Sequence, residues 1–80
     1  MENKEKAKVV WQVVTAVLTL KEEAHALDVD GHLKKAPKPH VMAVQFILLG
    51  SGFATKELIA DGDYGNQSIA SIVKLFNTAC

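Results

Sequence analysis

Eighty residues make one small domain, and a chain of this length buries only about 60% of the surface its unfolded form exposes, so little stability is in reserve. With 49% hydrophobic and 22% charged residues, the sequence is too apolar for disorder and too interrupted by polar residues to span a membrane. Nine lysines balance nine acids and there is no arginine, which weakens two routes to nucleic acid: the general pull on phosphate, and the side chain best shaped for guanine. The single cysteine, Cys80, has no partner within one chain, so the fold does not rest on an internal disulfide and a reducing, cytoplasmic setting is the simpler reading.

Residues 1–8 are charged and start as a solvated end. From Val9 onward the polar residues Lys8, Gln12, Thr15, Thr19 and Glu22 recur every three or four positions, a helical period, which predicts a long first helix over about 5–27. The rest of its surface, from Val9, Val10 and Trp11 to Leu20 and Leu27, is apolar around most of its girth, the pattern of a helix wrapped by neighbours. The lysine-rich start, the apolar run and the triplet Ala24, His25, Ala26 imitate a secretory leader. Gln12, Thr15 and Thr19 dilute that run, and Lys21, Glu22 and Glu23 put charge ahead of the cleavage point, so the segment is expected to stay in the protein.

Residues 28–39 read as a loop, in which Asp28, Asp30 and Gly31 stop the first helix and Pro37 and Pro39 hold the chain extended. Placing Gly31 at the invariant glycine of an EF-hand loop leaves Ala26 and Pro37 where two essential oxygen ligands belong, so calcium is not expected. His25, His32 and His40 flank the loop without the tight spacing of a metal motif. Val41–Leu49 is apolar except for Gln45, which predicts a short buried helix over about 40–49 whose one amide must find a partner. Gly50, Ser51 and Gly52 then turn the chain; they match neither a nucleophile elbow nor a phosphate loop.

Thr55 is a good N-cap for a third helix over about 55–61, with Glu57 in its first turn and Leu58 and Ile59 facing the core. The turn DGDYG follows, and Asn66 caps a last helix over about 66–77. Its apolar stripe is Ile69, Ile72, Val73 and Phe76, with Gln67, Ser71 and Lys74 on the other side. These elements predict an all-α, single four-helix domain. Sufficient apolar surface is left over to favour a homodimer, with the first helix contributing to the contact.

Residues 47–76 resemble the helix-turn-helix unit of small bacterial and phage regulators. Leu48 and Leu49 end the lead helix, Thr55, Glu57, Leu58 and Ala60 match its Thr-capped E-L-x-A helix, and Asn66, Gln67, Ser68, Ile69, Ser71 and Ile72 match its recognition helix. The resemblance implies that Asn66, Gln67, Ser71 and Lys74 face a DNA major groove while Lys34, Lys35, Lys38 and Lys56 touch phosphate. The neutral charge, the missing arginines and the acids Asp61 and Asp63 point instead to a protein partner, as in the inhibitors and adaptors that phages and mobile elements encode. Without a nucleophile and base set, paired carboxylates or a cofactor loop, no enzyme, cofactor or small-molecule substrate is expected.

Overall fold

Thr19 decides where the first helix stops. In the computed structural model, which describes residues 3–21 and 23–80, Thr19 adopts a left-handed backbone with φ 56°. The Leu20 N–H then reaches back to the Thr15 carbonyl at 2.8 Å and the Thr19 N–H to Ala16 at 3.1 Å, closing the helix with a Schellman-type pair. The first helix, α1, therefore spans Asn3–Val17 and not residues 5–27. Glu22, on the expected polar line, lies outside the described residues, as do Met1 and Glu2.

The expected loop over 28–39 contains a second helix, α2, at Ala26–Lys35. Its start is a capping box: His25 Nδ1 accepts from the Leu27 N–H, and the Asp28 carboxylate accepts from the His25 N–H at 2.9 Å. Asp28 thus opens a helix instead of ending one, and Gly31 sits inside it. Ala36, extended ahead of Pro37, ends it. The third helix, α3, runs Lys38–Ser51, with Pro39 in its first turn; Gly50 remains helical and Gly52, at φ 82°, supplies the left-handed stop.

No helix forms over 55–61. Residues 53–65 are irregular, with a lone turn in which the Leu58 N–H meets the Thr55 carbonyl at 3.2 Å. Seven residues are too few to stabilise a helix by themselves, and the groups that would cap one are engaged elsewhere, as described below. The fourth helix, α4, spans Asn66–Ala79; Gly65 occupies the cap position and Asn66 is the first helical residue.

The chain is all-α, with no strand among the described residues and no helix long and apolar enough to cross a membrane. Two of the four helices end where the periodicity predicts to within two residues, and the other two are differently bounded or newly placed. α1 packs along α4 and also meets α3, while α2 rests on α4. Val14 of α1 with Leu18 just past its end, Val29 and Leu33 of α2, Leu48 of α3, and Ile72 and Leu75 of α4 form the core, with Phe53 and Leu58 added from the irregular segment. Thr15, expected on the solvated line, is buried; its hydroxyl reaches the carbonyls of Trp11 and Gln12, both at 3.0 Å.

Candidate functional site

The residues singled out in the sequence fall into two groups, set by what fastens the segment between α3 and α4. Gln45, buried at the centre of α3, is the first fastening. Its Nε2 donates to the Asp63 carbonyl at 2.9 Å and to Ser68 Oγ at 3.0 Å, with an Asp61 carboxylate oxygen at 3.5 Å, and its Oε1 accepts from the Gly62 N–H at 2.8 Å. One side chain thereby supplies hydrogen bonds to a loop and to the first turn of α4, which is how an irregular segment is held beside a core. Gly62 has φ 80°, and a Cβ there would also run into the stem of Lys38, so both its backbone and its surroundings require glycine.

The second fastening is Ser71. It is wholly buried; its hydroxyl donates to the Gln67 carbonyl at 2.8 Å and accepts from the Thr55 N–H at 2.9 Å. The Thr55 hydroxyl in turn donates to Gln67 Oε1 at 2.7 Å. Thr55 therefore joins α4 instead of capping a helix of its own. The core face of α4 is Ser68, Ser71, Ile72, Leu75 and Ala79, rotated from the expected stripe, so Val73 is largely exposed and Ile69 and Phe76 are half-buried.

A third fastening joins the segment to α2. The Tyr64 hydroxyl donates to the Asp30 carboxylate at 2.7 Å. That bond, with Lys34 adding a 3.1 Å ion pair, holds the Asp30 carboxyl below the usual carboxylate range despite partial burial. Burial first, then the hydrogen bond to Asp30, and last the Asp30 charge push the Tyr64 hydroxyl up from its ordinary value.

These bonds leave Asn66 and Gln67 together on one exposed face, with Lys56 also exposed, but they withdraw Ser71 from it. That corrects the groove-facing position expected for Ser71: the hydroxyl is consumed inside the fold. Ile59, expected in the core, is instead 68% exposed on this same face. Around it lies an open depression of about 210 Å³ lined by Glu57, Ile59, Asp61, Asp63, Asn66 and Gln67. Three carboxylates thus stand beside the two amides. Lys74 is exposed farther along α4. Lys34, Lys35 and Lys38 are exposed at the corner where α2 gives way to α3, with Lys34 paired to Asp30 and the Lys38 stem lying over Gly62.

A second concavity has no counterpart in the sequence reading. A cleft of about 370 Å³ opens between α1, the 23–25 stretch and the end of α4. Its floor includes Trp11, Ala24, Phe76 and Ala79, and Lys8 and Glu23 stand at its edge. The Phe76 ring lies 5.1 Å from Trp11 and 4.6 Å from His25, both tilted, so three rings form one continuous wall. The only sequence signal was Trp11 beside the polar line of α1; apart from Lys8 and Gln12 on the same helix, the remaining lining comes from residues more than ten positions away. His25, His32 and His40 are all exposed, and among the described residues no three metal-ligating side chains converge.

No family model matches the chain, and no curated protein or solved structure resembles it significantly.

Proposed function

We propose that the chain is a small non-enzymatic regulatory module that acts by binding another protein, using the face formed by the start of α4 and the irregular segment before it. The observation that carries this reading is the company around Asn66 and Gln67: Ile59 stands exposed among the carboxylates of Glu57, Asp61 and Asp63. An apolar residue ringed by polar and acidic groups has the anatomy of a protein interface, with a dry centre and a charged rim. The same acids repel phosphate. Such a face fits a partner that offers an apolar side chain flanked by lysine or arginine.

A second reading, contact with double-stranded DNA, has one observation in its favour. Lys34, Lys35 and Lys38 are exposed together at the α2–α3 corner, with Lys56 and Lys74 elsewhere on the surface. One pair of measurements separates the readings. Affinity capture from the host followed by mass spectrometry is expected to return a protein that is lost when Ile59→Glu is the bait, with helical circular dichroism unchanged. Duplex DNA is expected not to bind at low salt. Binding to DNA that falls steeply with salt and is lost on combined replacement of Lys34, Lys35 and Lys38 by alanine would overturn the protein-binding reading.

A further inference from the structure

The first turn of α2 converges on one residue. His25 Nδ1 accepts from the Leu27 N–H at 3.2 Å, and the His25 carbonyl accepts from the N–H groups of Asp28, at 2.9 Å, and Val29, at 3.2 Å. The His25 N–H in turn donates to the Asp28 carboxylate at 2.9 Å. The imidazole is also part of the cleft wall, with its ring 4.6 Å from that of Phe76. The usual N-cap side chains, those of serine, threonine, asparagine and aspartate, keep an accepting oxygen at neutral and mildly acid pH. Histidine does not. A neutral imidazole that accepts at Nδ1 carries its proton on Nε2, whereas the imidazolium carries a proton on each nitrogen and accepts nothing.

We propose that His25 is a proton-operated latch on the first turn of α2: neutral, its Nδ1 holds the Leu27 N–H, and on taking up a proton it releases that bond and residues 26–28 open at the edge of the cleft. Two features make the turn depend on the latch. α2 is only 10 residues long and has Gly31, a poor residue for a helix interior, within it. The first turn is also the positive end of the helix dipole, so an imidazolium there meets repulsion as well as losing its bond. Among the described residues, the charged and titratable groups around the ring are Asp28 in the same turn, Glu23 just before it, Lys8 of α1, and Cys80 after α4. The two acids attract an imidazolium and favour proton uptake, and Lys8 opposes it. Pairing with either acid draws the ring away from the Leu27 N–H and restores no acceptor to it. The rest of α2 stays in place, because Val29 and Leu33 are buried and Asp30 is tied to Tyr64.

The open turn holds one proton more than the latched one, so the latch is closed at higher pH and opens as pH falls through the range, about 5 to 8, in which histidine ordinarily changes charge. Asp30, with its carboxyl held low, and Tyr64, with its hydroxyl pushed up, keep their charge states across that range. Hydrogen exchange of the whole chain, read amide by amide by NMR and expressed as protection relative to the free-chain rate at each pH, tests the latch. From about pH 8 down to about pH 5, protection of the Leu27, Asp28 and Val29 amides is expected to fall roughly tenfold, the scale of a lost N-cap, with little change in α3. His25→Asn keeps an accepting oxygen that does not titrate and is expected to hold the high-pH protection throughout. His25→Ala is expected to show the low value at both ends. Joint replacement His32→Gln and His40→Gln is expected to leave the fall intact. Constant first-turn protection in the wild-type chain over this range would overturn the proposal, as would an equal fall in His25→Asn or the loss of the fall in the variant lacking His32 and His40.

Discussion

Two irregular connections, residues 18–25 and residues 53–65, are held in opposite ways. The second is long and has no helix, yet it is tied to three helices: its backbone to α3 through Gln45 and to α4 through Ser71, and its Tyr64 hydroxyl to Asp30 of α2. The first is shorter and is held at its ends, by the Schellman-type closure at Thr19 and by the capping box at His25. Its last three residues, Glu23, Ala24 and His25, border the open cleft. The lesson is that irregular chain lies close to a small core when buried polar groups from elsewhere replace its missing helical hydrogen bonds.

The sharpest way to break this contrast is Gln45→Ala. It removes the partners of the Gly62 N–H and the Ser68 hydroxyl and leaves a space beside both, and unfolding in urea is expected to show a loss of about 3 kcal/mol. Hydrogen exchange is expected to accelerate across 53–65 and to change little across 18–25. Equal acceleration in both would mean that the two connections open together.

Tyr64→Phe is expected to cost about 1–2 kcal/mol near neutrality, since it deletes a hydrogen bond to a charged, partly buried acceptor. The difference between wild type and variant depends on pH at both extremes. Asp30 has its folded pKa lowered, so its contribution is complete above the ordinary carboxyl value of about 4 and is lost as acid titrates the folded carboxylate. Tyr64 has its folded pKa raised, so its contribution is complete below about 10 and is lost as base ionises the unfolded phenol. The gap between the two proteins is therefore a plateau between those values, shrinking on each side, and a gap of constant size at acid pH would rule out the Asp30 pairing.

The smallest expected effect has the opposite sign. Thr19 is a β-branched residue in a left-handed conformation, and Thr19→Gly relieves that strain at the position where glycine is the usual helix stop. A gain of up to about 1 kcal/mol is expected in the same urea experiment, with α1 ending in the same place. A loss of stability would mean that the short contact from the Thr19 hydroxyl to the Leu18 carbonyl, at 2.6 Å, outweighs the strain.

α3 and α4 were legible because their signals are local: an unbroken apolar run closed by glycine, and a 3.6-residue period after a glycine-rich turn. α2 was hidden because its capping box uses His25 where Ser or Thr is usual, and because Gly31 reads as a stop although nothing in the fold requires one there. The end of α1 was hidden by Thr19, which carries no glycine signature. At the candidate binding face, the exposure of Asn66, Gln67 and Lys56 could be read from the period of polar residues. Ser71 could not, because a serine on the polar side of a helix differs from a buried one only in what lies opposite, and here that is the Thr55 N–H.

By itself, then, the sequence determined that this chain is all-α and small, where α3 and α4 lie, and that Gln45 had to find partners, because helical period, left-handed glycine and buried amides act over a few residues. Only the tertiary structure decided which way α4 turns its serines, whether residues 55–61 form a helix, and that Trp11, Phe76 and the 23–25 stretch enclose a cleft. Those outcomes depend on contacts between groups more than ten residues apart in the chain, and no local pattern encodes them.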